Sequence, residues 1–343
     1  MHRRLVTSVL GAALVAGTLV APALAQSPSA APMGSTTPGR VPAKLVLGLV
    51  PSSDANALVT NAQPLADYLT QALGIPVESL VPTDYTGLVV AMGTGGADIG
   101  AFGPVALVQA ADQSGANIIL QSLRNGSTTY HSQWMTNKPE TYCTTDVVTT
   151  TAQSQEDTPQ AVTLGFCNGA DTATTGPLAA DALAKVPAGT NVAFVEQSSA
   201  SGYVFPALQL LNAGIDPTSD INPIFAGSHD LAVAAVCKGD ADLGVSFNDA
   251  RLLAASVAAC GTDPSGNVVF ALSPEIPNDG IAVAGDLDAG LKQKISDALI
   301  AYGNTPEGSA VLTKIYRISK FAPADLASLD VVREAIQKLG LKQ

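Results

Sequence analysis

Ser198-Ser199-Ala200-Ser201-Gly202-Tyr203-Val204-Phe205-Pro206 stands between the apolar segment Val192 to Val195 and a second one, Ala207 to Ala213. The first reads as a strand and the second as a helix, so the chain passes from strand to helix through small hydroxyl residues. Backbone N–H groups at a helix start lack intrahelical acceptors, and the helix dipole is positive there. Such a turn suits an anion. Ser199 and Ser201 add hydroxyl donors, and Gly202 lets the backbone approach a ligand closely. An ordinary serine N-cap accounts for the same letters, so the neighbouring sequence has to decide.

Beyond the turn the pattern continues with Gly214, a strand Asn222 to Phe225, a helix His229 to Val236 and a strand Ala241 to Val245. The same order occurs earlier. Strand Leu45 to Val50 runs into a turn with Ser52 and Ser53, then a helix Ala57 to Leu73 closed by Gly74. Strand Val77 to Val81, a helix Tyr85 to Met92 capped by Asp84, and strand Ala97 to Phe102 follow. The closing strands match in letters, Gly96-Ala97-Asp98-Ile99-Gly100 against Gly239-Asp240-Ala241-Asp242-Leu243-Gly244. Continuous apolar strands are those of a parallel sheet covered on both faces. Two copies of one βα order predict two α/β lobes, each a mostly parallel sheet flanked by helices. Ligands of such sheets sit beyond the carboxyl ends of the strands, so both serine turns are expected to face one cleft that closes by a hinge.

The N-terminus reads as an export signal over residues 1–25: Arg3 and Arg4, an apolar run from Leu5 to about Val20, then Ala23-Leu24-Ala25. Residues 26–43, rich in Ser, Pro, Ala and Gly, read as a disordered leader. Lobe 1 is expected over 44–130 and again over 273–343, with lobe 2 over 131–272. Tyr130 to Met135 and Ser273 to Val283 would then be the crossings. The polar stretch 137–175 reads as a surface insertion. Leu291 to Tyr302, Thr305 to Tyr316 and Ala324 to Leu339 have the pattern of amphipathic helices that cover the first lobe.

A hydrophobic fraction of 47% with 13% charged residues describes a well-buried globular chain. The net charge of −12 argues against nucleic acid. A small anion stays admissible, because hydrogen bonds at a helix start act locally while distant charge is screened within about 10 Å. The even cysteine count in an exported chain makes disulfides the expectation. Cys143 with Cys167 and Cys237 with Cys260, neighbours in sequence, are the preferred pairs among the possible connectivities, with a zinc site as the alternative.

From Lys44 to the C-terminus the chain resembles the substrate-binding proteins of phosphate/phosphonate-type ABC transporters, whose Ser-Thr-Ser-Gly-Tyr-x-x-Pro motif is matched from Ser199 to Pro206. Ala200 replaces the usual threonine. The resemblance implies the two-lobed type II periplasmic-binding-protein fold with its ligand cleft between lobes. It further implies ligand contacts at Tyr85 of Asp84-Tyr85-Thr86-Gly87, at Tyr130 with Ser132 nearby, and at Ser199, Ala200, Ser201 and Gly202. The remaining implied contacts are His229 of Gly227-Ser228-His229-Asp230, Asp249 and Asp279. Each has a plainer reading: Tyr85 packed on the sheet, His229 a capping or core residue, Asp249 an N-cap. Neutral donors are expected to hold the ligand charge without a buried Arg or Lys. The carboxylates of Asp249 and Asp279 would accept a proton from the ligand or pair with an ammonium, as in an aminoalkylphosphonate.

The function so implied is extracytoplasmic capture of a phosphonate or related phosphorus oxyanion, by a monomer not inserted in the membrane, for an ABC importer permease. No metal or organic cofactor is implied. A sensor presenting phosphite, arsenite or a sulfonate to a membrane receptor has the same chain chemistry. Hydrolysis is the remaining alternative, but the chain has no G-x-S-x-G elbow, P-loop or H-E-x-x-H motif.

Overall fold

The computed structural model describes residues 39–155, 158–170 and 180–341. The expected signal peptide and the leader up to residue 38 lie outside the described residues, as do parts of the 137–175 stretch.

Two mixed sheets carry the fold. The first has the order Lys320–Pro323, Asn117–Leu123, Gly280–Val283, Ile99–Phe102, Leu45–Leu49, Val77–Leu80. The second runs Asn222–Phe225, Asn191–Phe194, Leu243–Phe247, Ser132–Thr136, Val268–Leu272, Ala161–Cys167, Val147–Gln153. In each, three parallel strands place the first of the repeat between the second and the third. The third then pairs antiparallel with a strand that follows a crossing, Gly280–Val283 in one sheet and Ser132–Thr136 in the other. Both central regions are buried throughout, which is why these strands read as uninterrupted apolar runs.

The letter match between the copies has a hydrogen-bonded basis. Asp98 accepts from the Val46 N–H at 2.8 Å, and its own N–H donates to Val46 O at 2.9 Å. Asp242 accepts from the Asn191 N–H at 3.3 Å and donates to Asn191 O at 3.0 Å. Each aspartate thus ties the start of the third strand to the start of the first. A cation completes each bracket, Arg40 on Asp98 and Lys138 on Asp242.

The crossings at Thr129–Tyr130 and Ile276–Pro277 pair with one another as a short antiparallel ribbon between the sheets. Both expected disulfides are present: Cys143 with Cys167, and Cys237 with Cys260, the latter joining the ends of helices His229–Cys237 and Ala254–Cys260.

Several local expectations change. The leader ends before Arg40, whose side chain reaches Asp98 and Asp286 and whose N–H donates to Asp286 O. The 137–175 stretch, read as a surface insertion pinned by Cys143–Cys167, carries the hairpin of Val147–Gln153 and Ala161–Cys167, which extends the second sheet at its edge. Helix Pro104–Ser114, started by proline and closed by Gly115 at φ 65°, is an element the sequence reading passed over. The last helix begins at Asp330 rather than Ala324, because Lys320–Pro323 joins the first sheet as an edge strand.

Candidate anion-binding site

A cavity of about 570 Å³, counting the space that opens to solvent, lies between the sheets at the carboxyl ends of the parallel strands. Ser199, Ala200 and Ser201 form part of its wall. They open a π-helical turn, Ala200–Val204, that precedes the α-helix Phe205–Asn212. Ser199 Oγ accepts from the Gly202 N–H at 3.1 Å, so this serine caps its own turn. The N–H groups of Ala200 and Ser201 have no intrahelical acceptor, as at any helix start. Ser132 Oγ donates to Ser201 O at 2.6 Å and fixes the turn from beneath. Gly202 is required for close approach: a Cβ there would stand 2.4 Å from the Val195 side chain. Its N–H is spent on Ser199 and it does not line the cavity, which corrects the expectation that it donates to a ligand.

Two phenols face this turn. Tyr85 begins the helix Tyr85–Thr94 and lines the cavity beside Ser199. Tyr130, on the ribbon, donates to Ser201 Oγ at 3.4 Å. Burial pushes both phenols up from their ordinary range, helped for Tyr85 by the charges of Glu196 and Asp279 and for Tyr130 by Asp279. They therefore stay protonated and remain donors. His229 starts its helix under the cavity. Burial first, and then the Arg124 charge, bring its imidazole down to about 3, so it is neutral. Its Nδ1 accepts from the Phe247 N–H at 3.4 Å, which leaves the proton on Nε2 as a neutral donor. Ser52 and Ser53 complete the polar wall from the first lobe.

The expectation of a cavity free of cations is overturned. Arg124 and Arg317 both line it. Arg124 is placed by a two-residue hairpin turn whose Asn125 and Gly126 have φ of 50° and 84°, the positive values such turns demand. Its guanidinium lies 4.8 Å from the Tyr130 ring centroid and donates to Asp279 at 2.5 Å. Arg317 ends helix Pro306–Tyr316 with φ 59°.

Of the two acidic candidates, Asp279 lines the cavity, with one carboxylate oxygen taken by Arg124. Burial holds its carboxyl above the usual range in spite of that partner. Asp249 does not line the cavity, and here the expectation is corrected. Its carboxylate accepts from Arg251 Nε at 3.0 and 3.2 Å, from Arg251 Nη2 at 2.7 Å and from Gln133 at 3.1 Å, inside the second lobe. Burial alone would raise this carboxyl, but the Arg251 charge and the donated hydrogen bonds hold it below its ordinary value.

The two halves are in contact across the cavity. The His229 N–H donates to Ser52 O at 3.0 Å, Arg317 Nη1 to Asp249 O at 2.8 Å, and the Tyr85 N–H to both Glu196 carboxylate oxygens at 3.1 and 3.2 Å.

Two similar α/β lobes, joined by a ribbon and closed over a polar cavity, define a solute-binding protein of the type II periplasmic class. The model of the phosphonate family of ABC transporter periplasmic substrate-binding proteins matches residues 47–329, and the chain belongs to that family. The phosphate-import protein PhnD of Mycolicibacterium smegmatis is 27% identical over 257 residues, an alignment that takes in 72% of this chain and 66% of that protein. The phosphonates-binding periplasmic protein of Escherichia coli is 22% identical over 86% of this chain and 76% of its own length. Among solved structures, a binding protein component of an ABC phosphonate transporter from Pseudomonas aeruginosa superposes with a TM-score of 0.67 at 19% identity, covering 86% of both chains. PhnD1 of Prochlorococcus marinus in complex with methylphosphonate gives the same TM-score and identity, covering 86% of this chain and 98% of its own. The structural likenesses concern the fold. The family is one of solute-binding proteins, and no helix among the described residues is long and apolar enough to cross a membrane.

Proposed function

We propose that the protein captures a small phosphorus oxyanion, a phosphonate or phosphate, outside the cytoplasm and delivers it to the permease of an ABC importer. The observation that carries this reading is the convergence of the Ser199–Ser201 turn, the two protonated phenols and the Nε2–H of a neutral His229 on one cavity. A tetrahedral oxyanion presents several acceptor oxygens to such donors, and hydrogen bonds to a charged acceptor are stronger than neutral ones. Tyr85, Tyr130, Ser199, Ala200, Ser201, His229, Ser52 and Ser53 are the residues assigned to it. The relatives' names point the same way, since phosphate and methylphosphonate share the PO₃ face. Export by the segment 1–25 and action as a monomer belong to the same reading.

Isothermal calorimetry and thermal melts with phosphate, phosphite, methylphosphonate and sulfate test it. A phosphorus oxyanion at 100 times its dissociation constant is expected to stabilise the protein by about 2.7 kcal/mol. Failure of every phosphorus oxyanion to bind at millimolar concentration removes the reading. Co-purification with an ABC permease, against co-purification with a membrane receptor or kinase, separates import from sensing.

A further inference from the structure

The part of the cavity wall that carries Arg124, Asp279 and Arg317 has a charge balance of its own. Arg317 has no carboxylate within 4 Å among the described residues. Its Nη1 donates to the backbone oxygen of Asp249 at 2.8 Å, and its Nε and Nη1 donate to the Gln155 side-chain oxygen, both at 2.7 Å, in the amide orientation that satisfies both groups. Nη2 has no protein acceptor among the described residues. Two charges act on Arg317, first that of Asp249, whose carboxylate is held by Arg251, and then the like charge of Arg124, which is itself matched by Asp279. The Arg124 Nε is buried with no hydrogen-bond partner. The other carboxylate the sequence offered, Asp249, is consumed by Arg251. Among the described residues the cavity lining therefore holds two guanidiniums and one carboxylate, with that carboxylate already paired.

We propose that Arg317, beside the Arg124–Asp279 pair, forms a second seat for an anionic group at the far end of the ligand. The protein would then favour phosphonates with a distal carboxylate and discriminate against aminoalkylphosphonates. A distal carboxylate meets the open Nη2 and a net positive charge. A distal ammonium meets Arg317 as a like charge, with no unpaired carboxylate among the described lining residues to offset it. This inference rests on the phosphorus-oxyanion reading above, and it adds which chemistry the rest of the ligand carries.

The test is calorimetry at one pH with three ligands on a two-carbon scaffold, phosphonoacetate, ethylphosphonate and 2-aminoethylphosphonate, against the wild type, Arg317→Gln and Arg317→Lys. The wild type is expected to bind phosphonoacetate most tightly and 2-aminoethylphosphonate least, by about tenfold or more between the two, as like-charge juxtaposition dictates. In Arg317→Gln that ratio collapses toward one, whereas Arg317→Lys, which keeps the charge, retains the order. Two results overturn the proposal: 2-aminoethylphosphonate binding as tightly as phosphonoacetate, or Arg317→Gln weakening all three ligands by the same factor, which would make Arg317 a bridge between lobes and nothing more. If none of the three binds and phosphate does not either, the failure lies in the underlying oxyanion reading.

Discussion

Asp249 separates a ligand contact from a structural ion pair, and its substitution gives opposite results in the two cases. Arg251 is fully buried; besides Asp249 its Nη1 serves Gly165 O at 2.8 Å and Asn267 O at 2.7 Å, and its guanidinium lies 4.6 Å from the Phe166 ring centroid. Asp249→Asn leaves that guanidinium without its counter-charge, and Arg251→Met leaves the carboxylate without its counter-charge, held only by Gln133 and the residue-251 N–H, beside two unpaired carbonyls. Breaking a buried pair from one side costs about 3–5 kcal/mol. At roughly 2 °C per kcal/mol for a chain of this size, each single variant should melt about 6–10 °C lower. Asp249→Leu with Arg251→Met should recover most of the loss, because apolar replacement of both partners is often near neutral. Urea melts and scanning calorimetry measure this, with methylphosphonate and 2-aminoethylphosphonate titrated into the folded single variants. Affinities for both ligands are expected to fall together, if at all. An unmoved melting temperature combined with selective loss of 2-aminoethylphosphonate would refute the structural assignment of Asp249.

The remaining predictions concern the seat, the contact between lobes and the covalent ties. Tyr130→Phe and Ser201→Ala each remove a donor to a charged acceptor, worth about 1.5–3 kcal/mol, so calorimetry should show binding weakened by at least tenfold. Glu196, pushed up to about 7 by burial against the opposing Tyr85 N–H and with help from Asp84, is a pH-sensitive contact. Its folded value is raised, so its contribution is fully present below the ordinary carboxyl range and is lost as pH rises through about 7. Ligand-bound melts of the wild type should therefore steepen their decline between pH 5 and pH 8 relative to Glu196→Gln, the ligand's own ionisation being common to both proteins, and superimposable slopes would contradict this. Replacing Cys237 and Cys260 by serine opens a loop of 23 residues' separation. It should lower stability in urea by on the order of 3 kcal/mol. Gly202→Ala drives a methyl into Val195 and should destabilise by about 1–3 kcal/mol, partly relieved by Val195→Ala.

The strands around the cavity were legible because they are buried on both faces, which forces continuous apolar runs, and because the aspartate bracket repeats in both halves. The serine turn was legible as a local pattern. The arginines were not. Arg124 and Arg317 lie on a hairpin turn and a helix end far apart in sequence, and only the fold brings them to one wall. The Asn125-Gly126 pair is a hairpin signal that the sequence reading passed over, and nothing in it announces that Arg124 faces inward. Asp249 was misread for a related reason: an acidic residue before a short helix looks the same whether its carboxylate meets a solute or, two residues on, Arg251. The Thr-rich run from Val147 read as surface insertion because its side chains are largely exposed and show no apolar face. Its β-branched composition was the signal for a strand.

Tyr130 occupies a position with a mechanical consequence. It sits on the ribbon that any opening of the two halves must bend, and the same side chain carries a hydroxyl to the serine turn. Rotation about that axle would swing the phenol away from its partner, so under the proposed function occupancy of the seat and the angle between the halves would be coupled. A solute held by the phenol would then bear on that angle directly, without a relay of intervening side chains.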